Sequence, residues 1–276
     1  MKKFSVTDLS YLNASQWAQM PLSAVKFELK KSWLAPLIEQ VRNELKAKGL
    51  HDFFHVWVAE DWFSPDGCPG IAVPYYLFHP ELIRLQKSFG LRAEGSNKSW
   101  ALKLIRHEVG HAIENAWRLR RRKKRQQLFG LSTQPYPQFY RPIKSQNYVD
   151  HLGDDYAQSH PDEDWAETFA VWLSSSERSW RRKYPAGIAR EKLEYCDQIM
   201  NEIRFTKPIN TERFVVSPIT DQRGTIASFM QKQAVSQVRT ILKMPNAPKL
   251  SRELPSAAIL KQAQIWSKRS GLGILM

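Results

Sequence analysis

Cysteine is scarce in this chain. Its 276 residues include two cysteines, Cys68 and Cys196, which lie far apart in the sequence. Two distant thiols form neither a disulfide framework nor a zinc site built on paired cysteines. We therefore expect a fold that rests on a packed core, for which ten tryptophans and thirteen phenylalanines are available. A chain of this length can bury a substantial core around one main domain.

Long apolar runs are also missing. Residues Met1–Asp8 lack the apolar stretch of a signal peptide, and no later segment approaches the length of a membrane span. We therefore expect a cytoplasmic location by default. Zinc-finger, helix-turn-helix and RNA-binding motifs are absent as well, so base-specific recognition of nucleic acid is not expected.

Acidic residues are few, and the formal net charge is +14. The segment Arg118–Arg125 alone carries seven cations. Cations at the C-terminus of a helix offset its dipole, but seven exceed that need. Two interpretations stay open for the basic run and for the basic C-terminal region. One is a solvated surface, and the other is contact with non-specific nucleic acid, another anionic surface or an acidic substrate.

One motif carries recognisable chemistry, the His-Glu-x-x-His sequence that begins at His107. A helix is predicted over Lys98–Trp117, with a cap at Ser96 or Asn97. Helical spacing places His107 and His111 on one face, where both can hold one cation, and Glu108 can reach a water on that cation. Zinc takes such imidazoles together with a third protein ligand and an open position for water.

Gly110 lies inside this motif, where it costs the helix roughly 1 kcal/mol relative to alanine. We expect that another backbone approaches the helix closely at this glycine. The alternative for the whole motif is a surface helix whose histidines fall one turn apart by chance.

A second helix, predicted to follow Ser159-His160-Pro161 and to run toward Ser174, supplies candidates for a third ligand. Glu163 and Glu167 lie one turn apart and share a face with two alanines, Ala166 and Ala170, which allow close helix packing. Trp165, Phe169, Trp172 and Leu173 are predicted to point the other way, toward a core. Two carboxylates on a small-residue face suit one metal ligand and one supporting partner. The alternative is ordinary capping, because acidic residues in a first turn also stabilise the helix dipole.

Together these motifs resemble the bacterial putative zinc-binding metallopeptidases, a gluzincin-like family. The resemblance rests on His-Glu-x-Gly-His and the later Glu-Asp-Trp-Ala-Glu sequence. It extends upstream to Asp61–Gly67, Pro69–Leu77 and His79-Pro80, and covers roughly residues 30 to 200. It implies a zincin-like fold and a metal site more firmly than it implies a particular substrate.

Matched position by position, the gluzincin pattern makes His107, His111 and Glu163 the ligands of one Zn²⁺ per chain. It makes Glu108 the general base. The pattern also implies that Glu167 binds the ring of His107 and fixes its tautomer. Another gluzincin has a catalytic tyrosine seven residues before its glutamate ligand. That spacing nominates Tyr156 as the oxyanion donor, with Tyr136, Tyr140 and Tyr148 as alternatives in the same connecting segment.

Two strands are predicted upstream, at Phe53–Ala59 and Ile71–Leu77, with turn residues at Pro65-Asp66-Gly67. Pro74 lacks an N–H group and therefore indicates an edge position. An edge strand beside the metal helix could bind an extended peptide by strand addition. The alternative is a hairpin that only covers the core, and the substrate-binding residues stay unknown.

The sequence therefore predicts an α+β, zincin-like fold that is mainly helical, with a small edge-exposed sheet packed against the metal helix. Further helices are predicted near Leu34–Leu45, after Pro80, around Ile188–Ile203 and at Thr225–Leu242. The predicted divisions are an N-terminal extension (1–30), a metallopeptidase domain (31–205) and a basic linker and tail (206–276). The predicted function is zinc-dependent hydrolysis of peptide bonds. The alternative is a nucleic-acid-associated basic binding protein whose zinc site is structural or vestigial.

Overall fold

Helices make up most of the computed structural model, which describes residues 3–137, 139–153, 155–243, 257–258, 260–261 and 273–274. The α-helices are α1 (Ala14–Gln19), α2 (Ala35–Ala47), α3 (Pro80–Ser88), α4 (Lys98–Trp117), α5 (Lys123–Phe129), α6 (Pro161–Ser174), α7 (Glu177–Lys183), α8 (Ile188–Ile203) and α9 (Ile226–Leu242). The strands are β1 (Phe4–Ser5), β2 (Val25–Lys26), β3 (His55–Ala59), β4 (Gly70–Pro74), β5 (Phe139–Tyr140) and β6 (Gly273–Ile274). They pair as β1–β2, β3–β4 and β5–β6.

The two helices that carry the motif residues begin at side-chain caps. The Asn97 side chain accepts a hydrogen bond from the Trp100 N–H at the start of α4. His160 caps α6 in the same way, because its ring accepts from the Asp162 N–H. These caps satisfy backbone donors that have no partner inside the helix. The predicted bounds of α4 and the predicted start of α6 are therefore confirmed.

Helices α4 and α6 pack against each other at the centre of the described structure. The two backbones approach each other closely at Gly110, where an added Cβ would lie 2.9 Å from the Ala166 Cα and 3.2 Å from the Ala166 carbonyl oxygen. The expectation that a second backbone approaches this glycine is confirmed. Trp165 is buried in the core as predicted, but its indole N–H also donates to the Gly110 carbonyl at 2.8 Å. The contact between α4 and α6 therefore includes the large side chain of Trp165 as well as the small residue Ala166.

The pair β3–β4 lies beside α4 and is parallel, with His55 opposite Gly70 and Ala59 opposite Pro74. The hairpin alternative is therefore wrong. Every residue of β4 is buried. On the side of β4 away from β3, the Gly70 N–H donates to the Cys68 carbonyl and the Ala72 N–H to the Phe63 carbonyl. Because Pro74 has no N–H, this edge of β4 keeps no backbone donor for an added strand.

The region predicted as a linker and tail contributes to the same core as α4 and α6. Its buried side chains in the described residues are Ile219, Ile226, Phe229, Met230, Ala234, Val238, Ile241 and Leu260. The Asn210 N–H donates to the Ala116 carbonyl at the end of α4. The Ile226 N–H, at the start of the predicted helix α9, donates to the Met20 carbonyl. Helix α9 therefore packs against the N-terminal region around α1, while the predicted division points stay a prediction.

None of the described helices combines the length and the apolar character needed to cross a membrane.

Candidate metal centre

Three donor atoms from α4 and α6 meet in the buried space between the helices. The Nε2 atoms of His107 and His111 lie 3.3 Å apart. The Glu163 Oε2 atom is 2.9 Å from the His107 Nε2 and 3.3 Å from the His111 Nε2. In a search of the described residues, these two histidines and one glutamate form the group whose chemistry and spacing suit a metal ion. The structure thus brings together the two predicted histidines and the predicted carboxylate.

The other nitrogen of the His107 ring is held by Glu167. The Nδ1 atom is 2.8 Å from the Glu167 Oε1 atom. The second oxygen, Oε2, accepts the backbone N–H groups of His151 at 2.7 Å and Leu152 at 2.8 Å. A carboxylate only accepts at this site, so the neutral ring carries its proton on Nδ1. In that neutral form, which a metal ion requires, the lone pair of Nε2 faces Glu163 and His111.

The donor set fits a small divalent cation. With Zn–N and Zn–O distances of about 2.0–2.2 Å, ligands around a tetrahedral zinc lie about 3.3–3.6 Å apart. Two of the three separations are 3.3 Å and the third is 2.9 Å. Two imidazole lone pairs and a carboxylate repel one another in a buried space unless positive charge lies between them. Two imidazoles and one carboxylate are ligands that zinc prefers.

Protons bound to the histidine rings can supply part of that positive charge. Burial disfavours the charged ring of His107, but its hydrogen bonds to Glu163 and Glu167 outweigh burial and raise its pKa well above the usual range. Burial likewise opposes ionisation of Glu163, yet the charges and hydrogen bonds of His111 and His107 lower its pKa well below the usual range. A group of this kind binds protons and a metal ion competitively.

Glu108 lies on the same face of α4 and is 6% exposed. Burial raises the pKa of its carboxyl, even though the nearby rings of His107 and His111 lower it. Two further acidic residues, Asp61 and Glu94, lie near enough to interact electrostatically with the Glu108 carboxyl. Neither was predicted from the sequence to belong to the site. Burial and then the charge of Glu94 raise the pKa of Asp61 to about 7. The raised pKa values make the carboxyls of Glu108 and Asp61 better proton acceptors than ordinary surface acids.

The tyrosines of the connecting segment take different positions. The Tyr156 ring centroid is 5.7 Å from that of His107, and the Tyr156 hydroxyl has no hydrogen bond to any described residue. Tyr136 instead donates from its hydroxyl to the Glu163 Oε1 atom at 2.8 Å. Tyr140 packs against the edge of Tyr156, and Tyr148 packs against Lys192. Tyr136 and Tyr156 are therefore the two that border the metal-ligand group.

A buried ionic cluster fixes the far end of the α4–α6 crossing. Arg125, from α5, is fully buried and donates to Glu114 of α4 at 2.8 Å and to Asp162 of α6 at 2.7 Å. Arg120 also pairs with both carboxylates, at 3.1 and 3.2 Å. Asp162 directly precedes Glu163, so the cluster anchors the turn of α6 that presents the predicted ligand.

The same cluster changes the interpretation of the basic run. Arg120 and Arg125 serve internal ion pairs, and Arg122 pairs with Glu202 at 2.7 Å. The exposed cations of the run are Arg118, Arg121, Lys123 and Lys124. The segment does not continue the metal helix, because Arg118 adopts the left-handed conformation at φ 53° and ends α4. The surface available to an anionic partner is thus smaller than the sequence indicates.

One comparison with known proteins agrees with this donor set. A family model described as "Putative zinc-binding metallo-peptidase" matches residues 101–203, from the fourth residue of α4 to the end of α8. The predicted resemblance to a putative zinc-binding metallopeptidase family is confirmed over that span, whereas its gluzincin-like character stays a prediction and the upstream blocks lie outside the match. The match shows similarity to a family described as zinc-binding and peptidase-like over that part of the chain. No curated protein and no solved structure matches the chain.

Proposed function

We propose that this protein is a zinc-dependent peptide-bond hydrolase of gluzincin type with a zincin-like fold. The observation that carries the proposal is the meeting of the His107 Nε2, His111 Nε2 and Glu163 Oε2 atoms within 3.3 Å of one another. The family match over residues 101–203 supports the same class. The packing of a His-Glu-x-x-His helix against a second helix that supplies a glutamate supports the fold assignment.

A zinc ion held by His107, His111 and Glu163 would supply Lewis-acid chemistry, which activates water near neutral pH and polarises an amide carbonyl. Glu108 is the group we assign to take a proton from the attacking water and to return it to the departing amine. Tyr156 has a hydroxyl that is free to donate to a developing oxyanion. Glu167 keeps the proton of His107 on Nδ1, so that the lone pair of Nε2 stays available to the metal.

The rival class is a basic binding protein in which zinc is structural. Structural zinc sites are closed by four protein ligands, whereas catalytic sites have three and leave one position open. Among the described residues, the group here offers three donor side chains. That count favours the catalytic class. Binding of nucleic acid or another anionic surface through Arg118–Arg125 stays a prediction, now limited to the exposed cations of that run.

The test compares the wild-type chain with Glu108→Gln. We expect the purified wild-type protein to bind zinc and to cleave members of a peptide library, with activity lost on chelation and restored by added zinc. The Glu108→Gln variant should keep its zinc, because Glu108 is not a ligand in this proposal, and should lose at least about 100-fold in kcat.

The matched control is Glu44→Gln, which alters a half-buried glutamate of α2 that pairs with Arg106 of α4 and does not belong to the metal-ligand group. This variant should retain both zinc and activity. Equal turnover in Glu108→Gln and the wild type would contradict the assigned role of Glu108. Salt-dependent binding of DNA or RNA that persists in His107→Ala, with no peptide cleavage by the wild type, would favour the rival class.

A further inference from the structure

Tyr136 reaches the metal-ligand group from outside the two motif helices. It lies in the connector between α5 and α6, residues 130–160, and half of its surface is exposed. Its hydroxyl nevertheless donates to the Glu163 Oε1 atom at 2.8 Å, across 27 residues of sequence. A hydrogen bond to a buried carboxylate is stronger than one between neutral groups. This hydrogen bond therefore fixes the position of both the connector and the Glu163 carboxylate.

His160 holds Tyr136 in place. Its Nδ1 atom accepts the Asp162 N–H as the cap of α6. The proton of the neutral ring is therefore on Nε2, which donates to the Gln134 carbonyl at 2.8 Å. The flat face of the same ring stacks on Tyr136, with centroids 3.7 Å apart and planes 15° apart. One buried residue thus starts the helix of Glu163, fixes the backbone of the connector and supports the tyrosine ring.

Because of this contact, the two oxygens of Glu163 have different partners. Oε1 accepts from Tyr136, whereas Oε2 faces the Nε2 atoms of both histidines. A carboxylate whose second oxygen is occupied by a hydrogen bond offers one oxygen to a cation. Single-oxygen ligation leaves room for an open position in a four-coordinate site, which a hydrolase needs for water.

We infer that Tyr136 is a positioning residue for the metal site, which holds Glu163 so that one oxygen faces the cation. The inference rests on the proposed function. It gives Tyr136 a task distinct from that of Tyr156, whose hydroxyl has no partner among the described residues. It also assigns a role to the connector, since His160 and Gln134 bring Tyr136 to its place.

The test is zinc and cobalt(II) binding by the full chain with Tyr136→Phe. This change keeps the stacked ring and removes only the hydroxyl. Zinc affinity, measured by competition with a chromophoric chelator, should fall about 10-fold, as is usual when a partner of a metal ligand is lost. Cobalt(II) absorbs more strongly in tetrahedral sites than in sites of higher coordination. The variant should therefore show weaker visible absorption, because Glu163 is free to bind through both oxygens.

The matched control is Tyr148→Phe, which alters a tyrosine of the same connector that packs on Lys192 instead. Its zinc affinity and cobalt spectrum should equal those of the wild type. The metal-free Tyr136→Phe protein should unfold at a lower urea concentration than the other two, because it loses a hydrogen bond to a buried carboxylate. A purely structural role of the hydroxyl would account for that loss, but it would leave the cobalt(II) spectrum of the folded variant equal to that of the wild type. Zinc affinity that is not reduced in Tyr136→Phe, with tight binding by the wild type, would overturn this inference alone. Absence of zinc binding by the wild type would overturn the metal site and the inference with it.

Discussion

Replacing Gly110 with alanine sets two effects of opposite sign against each other. Within an α-helix, alanine is more favourable than glycine by about 1 kcal/mol. Here, however, the new Cβ would lie 2.9 Å from the Ala166 Cα, 3.2 Å from the Ala166 carbonyl oxygen and 3.2 Å from the Phe169 Cδ1. Two of these three atoms belong to the backbone of α6, which cannot move aside as a flexible side chain can.

The steric effect should be the larger one. Overpacking of a buried site costs about 1–3 kcal/mol. Since two of the three contacts here are with backbone, we expect a cost in the upper part of this range, about 2–3 kcal/mol. After the gain in helix propensity, we expect the free energy of unfolding to fall by about 1–2 kcal/mol. Relief of the contact also requires α4 and α6 to separate, which moves Glu163 away from the two histidines. Zinc affinity should therefore fall as well, although Gly110 itself is not a metal ligand.

Urea unfolding of the metal-free chain and chelator competition for zinc measure the two effects separately. The matched control is Ser99→Ala, because Ser99 lies exposed in the first turn of α4. This variant should show unchanged stability within about 0.5 kcal/mol and unchanged zinc affinity. A Gly110→Ala protein that is more stable than the wild type, with full zinc affinity, would refute the reasoning about this crossing.

Three further predictions concern the surroundings of the site. Glu167→Gln should weaken zinc binding about 10–100-fold, because the carboxylate that fixes the His107 tautomer is lost; unchanged affinity in a chelator titration would contradict its role. Arg125→Met should lower the free energy of unfolding by about 3 kcal/mol in urea, since Glu114 and Asp162 stay buried with one partner fewer; a loss below about 1 kcal/mol would contradict the anchoring role. Zinc at 100 times its Kd should stabilise the wild type by about 2.7 kcal/mol in thermal unfolding. Glu163→Gln should show much less stabilisation, and an equal shift in both proteins would place the binding elsewhere.

Much of the helical frame could be predicted because its signals are local. The cap at Asn97, the proline at the start of α6 and the helical spacing of the motif residues lie within a few residues of what they determine. The close approach of a second backbone at Gly110 could be predicted for the same reason. A glycine inside a helix carries a known cost, and close packing against Ala166 offsets it.

The partners that support the site could not be predicted in this way. Tyr136 reaches Glu163 from an irregular connector that has no periodic pattern, so several tyrosines in that segment were equivalent in sequence. Arg125 belongs to a charged run that is typical of a solvated surface. Its burial depends on Glu114 and Asp162, which lie 11 and 37 residues away. Such contacts are decided by tertiary packing and leave no local signal.

The pairing of β3 with β4 and the packing of the C-terminal region were missed for a related reason. A short loop between two apolar strands is typical of a hairpin, yet residues 60–69 connect a parallel pair. Sparse apolar residues after Thr206 are typical of a linker. In the structure, Ile209, Phe214 and Val215 are exposed, but most of the described apolar residues from Ile219 onward are buried in the core. The Trp57 indole N–H also donates to the Val216 carbonyl at 3.0 Å.

The most direct test of the central claim is a crystal structure of the zinc-loaded chain with anomalous diffraction data collected at the zinc edge. The proposal predicts one strong peak per chain, about 2.0–2.2 Å from the Nε2 atoms of His107 and His111 and from one oxygen of Glu163. A peak bound by other residues, or zinc bound by the two histidines with Glu163 turned away, would contradict it.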